Sequence, residues 1–325
     1  MRASVRVWLI LGLTLGSIAA TQVQAPQVEI SNARIRTKLY LPDAQFGYYR
    51  ATRFDWSGVI CSLAWSGHTY FGQWFQRYDP KINDAITGPV EEFDGLGYDD
   101  VKAGETFVRI GVGAVRKPEE RAYRQFNTYE IVDPGKWTVN RRSDGVEFVH
   151  ELRDTAGYAY VYRKNVRLNG NSLVLEHHLK NAGRKAIVTS VYEHDFFMLD
   201  SQPTGPDFVV RFPFELTATS PLKGLAETRG KDFVYLQELQ ARQSLETELT
   251  GFGKTAKDND FRVENRKTGA GVRETGDRPL SKVNLWSPRT TICPEAFIDL
   301  KVEPGQESSW RIAYEFYQVP NASRR

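Results

Sequence analysis

Hydrophobic and polar residues alternate along most of the chain. The clearest example is 173–180, where Leu173, Leu175, His177 and Leu179 fall on one side and polar residues dominate the other. Side chains two positions apart share a face of a β-strand, so this pattern predicts a strand with one buried face. The same pattern predicts further strands over 146–152, 158–166, 186–192, 208–214 and 310–319.

Short turn sequences separate these predicted strands, among them Asp144-Gly145, Asn169-Gly170 and Pro304-Gly305. Helical periodicity is scarce, and its best candidate, 233–248, has weak apolar spacing. The polar stretch 251–278 is predicted to form long hairpin loops rather than a linker. Many strands with few short helices predict an all-β, antiparallel sandwich or barrel, formed by one domain over 28–319.

The first twenty residues have the three-part layout of a secretory signal. Arg2 and Arg6 precede an apolar run over 7–15, and the small residues Ser17 to Ala20 follow it. The run is short for a bilayer span, although an uncleaved anchor shares the same pattern. We therefore expect cleavage near 19–25 and a protein that is periplasmic or secreted, free of the membrane after cleavage.

Composition excludes several classes of protein. The 325 residues contain 43 Lys+Arg against 40 Asp+Glu, and loss of Arg2 and Arg6 leaves the charge almost balanced, so nucleic acid is not an expected partner. Two cysteines form neither a disulfide scaffold nor a four-cysteine zinc site. In an exported protein Cys61 and Cys293 could pair, or remain two separate buried thiols.

Common catalytic and nucleotide-binding motifs are missing. The chain has no Gly-x-Ser-x-Gly elbow, and Gly111-Val112-Gly113 lacks the third glycine of a dinucleotide fingerprint. His177 and His178 fall on opposite faces of their predicted strand, so they are not expected to share a metal. The sequence predicts no cofactor and no metal.

Two residues are candidates for proton transfer. His194 lies between Glu193 and Asp195, whose charges would raise its pKa and favour the protonated form that a general acid needs. Glu295 has mostly apolar neighbours, so its carboxylate is expected either to be paired or to have a raised pKa.

The segment 173–199 resembles the middle of the aldose 1-epimerases, the galactose mutarotase-like family. It has an alternating strand ending in Asn181-Ala182-Gly183, a second strand, and then a His-x-aromatic-Phe-x-Leu run beginning at His194. The family usually has Asn where this chain has Glu193. The last third is also similar in order and spacing, with a glutamate at Glu295, a Pro-Gly turn and a closing strand.

This resemblance implies a β-supersandwich with a sugar groove, and a mechanism without cofactor or metal. Glu295 would take the proton of the anomeric hydroxyl while His194 protonates the ring oxygen. The two side chains are then expected to face one cavity, about a sugar ring apart. A second family histidine, in a Leu-His-Gly-Gly-Pro segment, has no counterpart in 85–93, which puts ordinary hexose mutarotation in doubt.

Sugar binding predicts aromatic faces and planar polar groups near the reacting pair. Gln73 and Trp74 lie in an aromatic strip at 71–75, and Trp286 precedes Glu295. Further candidates for substrate contact are His68, Arg116 and Asp195. The leading hypothesis is therefore an isomerase that interconverts sugar anomers. The alternatives are a non-catalytic carbohydrate-binding protein on the same fold and a polysaccharide-processing enzyme.

The predicted cleavage of the signal segment can be tested directly. N-terminal sequencing of the protein recovered from its native host is expected to begin between residues 19 and 25, because the signal pattern ends there. A mature chain that retains Met1 would contradict cleavage.

Overall fold

The computed structural model describes residues 24–120 and 122–319. The proposed signal segment lies outside the described residues. Within them the chain forms 23 β-strands and two short 3₁₀ turns, at Leu199–Ser201 and Ala256–Asp258. No helix in the described part of the chain is long and apolar enough to cross a membrane.

The strands fall into four sheets, and every pair that the structure shows within them is antiparallel. The first half of the chain contains β1 Gln27–Ser31, β2 Ile35–Tyr40, β3 Val59–Trp65, β4 His68–Phe71, β5 Val90–Phe93, β6 Thr106–Arg109, β7 Gly113–Arg116, β8 Ile131–Asp133, β9 Lys136–Arg141, β10 Gly145–Thr155 and β11 Tyr158–Asn169. The second half contains β12 Ser172–Asn181, β13 Ile187–His194, β14 Phe208–Arg211, β15 Thr217–Ala218, β16 Ala226–Arg229, β17 Asp232–Tyr235, β18 Ser244–Thr250, β19 Asp260–Asn265, β20 Ala270–Gly276, β21 Lys282–Pro288, β22 Cys293–Val302 and β23 Glu307–Gln318.

Two large sheets form the body of the molecule. A ten-stranded sheet has the order β16-β17-β14-β19-β20-β23-β12-β11-β10-β9, and a six-stranded sheet has the order β15-β18-β21-β22-β13-β5. Leu175 and Tyr314 of the first sheet belong to the same buried hydrophobic cluster as Val191 and Leu300 of the second. The alternation in the sequence therefore places one apolar face of each sheet in a shared core.

The predicted alternation of 173–180 is confirmed in β12. His177 is fully buried on the core side, whereas His178 is exposed on the other side. The strands predicted at 146–152, 158–166, 186–192 and 310–319 are also present, as β10, β11, β13 and β23. The prediction of an all-β antiparallel fold is confirmed, while the boundaries of a single domain stay a prediction.

Two local predictions were wrong. The best helix candidate, 233–248, contains β17 and the start of β18 instead of a helix. In β18 Leu245 and Leu249 are buried and Glu246 is exposed, which is the period of a strand paired with β21. The polar stretch 251–278 contains β19 and β20 rather than only loops, because buried apolar residues such as Val263 hold it in the ten-stranded sheet.

Both cysteines are free thiols in the described structure. Cys61 lies half-buried on β3, and Cys293 is fully buried at the start of β22. Of the two arrangements that the sequence left open, the structure has two separate thiols.

The shared core predicts where truncation is costly. Leu175→Ala removes a fully buried side chain from the middle of the ten-stranded sheet, and we expect it to lower the free energy of unfolding by about 2–5 kcal/mol. The matched control is Val188→Ala on β13, where the side chain is 63% exposed and the change should stay within about 0.5 kcal/mol. Urea denaturation measures both, and equal losses would contradict the proposed location of the core.

Candidate active site

A cavity of about 590 Å³ opens over the six-stranded sheet. This volume lies within the range of small-molecule sites. Its wall includes both predicted proton-transfer residues, His194 and Glu295, together with the predicted sugar-contacting residues Trp74 and Trp286. The structure thus brings four of the predicted residues together.

Strand register brings His194 and Glu295 together. Strands β13 and β22 are neighbours, and Val191 lies opposite Ile298. Three residues further along each antiparallel strand, His194 Nε2 lies 3.3 Å from Glu295 Oε1. The expected separation of about a sugar ring was therefore too large.

Asn284 fixes the other carboxylate oxygen of Glu295. It lies directly opposite Glu295 on β21, and its amide nitrogen donates a hydrogen bond to Oε2 at 2.9 Å. Sequence reasoning missed Asn284, although the alternation of β21 puts it on the same face as Trp286. Burial of Glu295 raises its pKa to about 7, although the bond from Asn284 and the charge of Arg53 act to lower it.

The imidazole of His194 is enclosed by aromatic rings. It stacks on Phe196 with ring centres 3.9 Å apart, and Phe54 and Trp286 meet it edge-on. Burial lowers the pKa of His194 well below its usual value, and the positive charge of Arg53 lowers it further. The sequence-based expectation of a raised pKa was wrong, because strand alternation turns the carboxylates on either side of His194 towards the opposite face.

The chain immediately after His194 is held in a strained conformation. Phe196 has a φ of 48°, in the left-handed region that side chains other than glycine seldom adopt, at a cost of about 1–3 kcal/mol. This turn allows the Phe196 ring to lie between His194 and Trp74, whose ring centre is 5.0 Å away. On the neighbouring segment, Gly88 lies against the carbonyl groups of His194 and Asp195, and a Cβ there would collide with them.

Arg53 is a cavity residue that sequence reasoning did not identify. Its side chain is buried and donates hydrogen bonds to Glu92 at 2.8 Å, to Asp84 at 2.6 Å and to the hydroxyl of Tyr192 at 3.1 Å. Its position depends on a loop before β3 that packs near β5 and β13, so no local pattern around residue 53 could reveal it. The guanidinium group gives the cavity wall a fixed positive charge beside His194 and Glu295.

Four predicted contact residues lie outside the lining of this cavity. Gln73 is exposed and bonds to the carbonyl of Phe75, and His68 pairs with Asp200 at 2.9 Å. Arg116 lies on β7 and pairs with Glu130 at 2.6 Å. Asp195 is fully buried on the core side, where it accepts a hydrogen bond from Tyr314 at 2.9 Å.

The comparisons with known proteins agree on the fold. No family model matches the chain, and no curated protein matches it in sequence. A solved aldose epimerase homologue from C. elegans matches with a TM-score of 0.55 at 16% identity, covering 91% of this chain and 100% of its own. A galactose mutarotase-like protein from Clostridium acetobutylicum matches with a TM-score of 0.54 at 14% identity, covering 91% and 99%.

The Slr1438 protein of Synechocystis sp. matches with a TM-score of 0.57 at 13% identity, covering 94% of this chain and 100% of its own. Identities this low establish the fold alone. The chain therefore has the galactose mutarotase-like fold, and the resemblance drawn from the sequence is confirmed at that level.

The raised pKa of Glu295 predicts a pH-dependent stability. A folded-state pKa of about 7, against 4.5 for an ordinary glutamate, stabilises the fold fully below pH 4.5, and this contribution is lost as pH rises through 7. The free energy of unfolding of the wild type, relative to that of Glu295→Gln, should therefore fall between these values and level off above them. Denaturant titrations across this range measure the difference, and a constant difference would contradict the raised pKa.

Proposed function

We propose that the protein interconverts the anomers of a sugar bound in this cavity, in the manner of an aldose 1-epimerase. The observation that carries the proposal is the pair itself. His194 and Glu295 face the same cavity, 3.3 Å apart, in a fold shared with aldose epimerase homologues. The names of those structures point to sugars as the class of ligand.

The short separation suits the chemistry of mutarotation. The ring oxygen and the anomeric hydroxyl oxygen are bonded to the same carbon, so an acid and a base that serve them must lie close together. One group takes the hydroxyl proton while the other donates a proton to the ring oxygen, and the bond between the anomeric carbon and the ring oxygen breaks. The carbonyl carbon then rotates, and the reverse transfers close the ring on the other face.

The protonation of the pair supports this cycle. With the pKa of Glu295 at about 7 and that of His194 well below its usual value, the pair holds one transferable proton in mildly acidic solution. Ring opening passes a proton to one residue and removes one from the other, so the total is unchanged. Burial places that proton on Glu295, so it first passes to His194 across the 3.3 Å contact, which leaves Glu295 as base and His194 as acid in opening. The two residues exchange roles in closure, and both halves of the cycle need the one-proton state.

The remaining wall of the cavity suits a sugar. Trp74, Trp286 and Phe196 offer aromatic surface to the apolar faces of a pyranose. Arg53 and Asn284 offer donors that sugar hydroxyls accept. The signal-like residues 1–20 support the further proposal that this sugar is met outside the cytoplasm.

Substitution of Glu295 tests the reaction. Glu295→Gln keeps the shape of the side chain but removes its proton transfer, so the enzymatic rate should fall by about 10²–10⁴-fold while sugar binding is largely kept. His194→Ala should lose a similar factor. Polarimetry on freshly dissolved aldoses, chosen from a binding screen, measures the rate, and the wild-type rate should fall as pH rises through about 7.

Matched controls separate catalysis from stability. His178→Ala and Glu303→Gln change the same residue types at exposed positions and should keep the wild-type rate. Full activity in Glu295→Gln would refute the role of that carboxyl. A wild type that binds aldoses without accelerating their mutarotation would refute the enzymatic proposal and favour a carbohydrate-binding protein.

A further inference from the structure

The strand that carries His194 has a second charged face. Residues on β13 alternate, so Tyr192 and His194 line the cavity while Glu193 points to the other side, between the two large sheets. Glu193 is 1% exposed. A carboxylate in such a position is costly unless another group compensates it.

Two further side chains that can bind a metal ion lie beside Glu193 in the core. Glu91 lies directly opposite it on β5, and His177 reaches across from β12 of the ten-stranded sheet. His177 Nε2 is hydrogen-bonded to Glu91 Oε1 at 2.6 Å, through a proton that a bound ion would displace, and lies 3.8 Å from Glu193 Oε1. One ligand atom from each of the three residues lies within 4.8 Å of the others, and all three side chains are at most 1% exposed.

The protein itself leaves Glu193 unsatisfied. Neither of its carboxylate oxygens has a hydrogen-bond partner among the described residues, although both are buried. The Oε1 atom faces the imidazole of His177 without bonding to it. Buried polar groups are nearly always paired, so an unpaired carboxylate aimed at two potential ligands indicates a missing partner with a positive charge or a proton.

The charges around the cluster favour a bound cation. Lys164 is fully buried and binds Glu91 Oε2 at 2.6 Å and the carbonyl of Ser57 at 3.1 Å. Asp55, also buried, is bonded to Ser57. The ammonium group of Lys164 is thus bonded to Glu91, while the buried carboxyls of Asp195 and Glu274 add negative charge near Glu193, so a bound cation would be stabilised there.

We propose that Glu91, His177 and Glu193 bind a divalent transition-metal ion of the Zn²⁺ type between the two sheets. An imidazole nitrogen with two carboxylate oxygens suits Zn²⁺ and its neighbours better than Mg²⁺ or Ca²⁺, which prefer oxygen ligands alone. Because the ligands come from both sheets, the ion would cross-link them behind His194. The cluster is closed to solvent, so the ion would enter during folding and have a structural role, independent of any reaction in the cavity.

Protonation of the buried carboxyl groups is the alternative to a bound ion. Burial raises the pKa of Glu193 well above its usual value and that of Asp55 to about 8, so two protons could neutralise the same carboxyl groups. The two arrangements differ in metal content and in the response of the fold to metal, and neither readout depends on enzymatic activity.

The experiment measures metal in the purified protein. Protein expressed with Zn²⁺, Mn²⁺ and Fe²⁺ in the medium is dialysed against metal-free buffer and analysed by mass spectrometry of the elements, and we expect about one ion per chain. The protein is then unfolded in guanidinium with EDTA and refolded with EDTA, with Zn²⁺ or with Co²⁺. Refolding with Zn²⁺ should raise Tm, and Co²⁺ should give visible absorption bands of a low-symmetry site.

Glu193→Gln and Glu274→Gln form a matched pair of variants. Both remove a buried carboxyl from the same core, but only Glu193 belongs to the ligand set. Glu193→Gln should lose the bound ion and the Tm response, and Glu274→Gln should keep both. Absence of any ion from the purified wild type would overturn the proposal in favour of protonated carboxyls, and so would equal metal content in Glu193→Gln and the wild type.

Discussion

The pairing of β13 with β22 is the constraint on which the candidate site depends. Its register puts His194 and Glu295 at matching positions on neighbouring strands, and their side chains meet at 3.3 Å. A shift of one residue would turn one of these side chains into the core and separate the pair. The chemistry of the site is therefore a property of strand register more than of any local motif.

Strand alternation also divides the charges of β13 between two environments. His194 faces the cavity, while Glu193 and Asp195 face the core between the sheets. Three consecutive titratable residues thus have different surroundings, although they are adjacent in sequence. This separation explains why the neighbouring carboxylates do not raise the pKa of the His194 imidazole. It also places a group of buried carboxyls directly behind the cavity.

Burial dominates the electrostatics of His194 and Glu295. Loss of hydration raises the pKa of Glu295 and lowers that of His194, so both shifts favour the uncharged forms. The two shifts reverse the usual order of the pKa values, so a single proton held by the pair lies on Glu295. The strained Phe196 and the closely packed Gly88 hold the end of β13 in position.

The sequence by itself determined that the fold is built from strands, which faces of several of them are buried, and two residues, His194 and Glu295, that line one cavity. Period-two alternation is a local signal, and it correctly separated His177 from His178. The helix expected at 233–248 and the loops expected at 251–278 were wrong, because pairing with other strands outweighed weak or polar local patterns. Only the tertiary structure decided the partners: Arg53 and Asn284 at the cavity, and Glu91 and Lys164 behind it. These contacts join residues from separate strands and loops, and the burial that sets each pKa exists only once the sheets have packed.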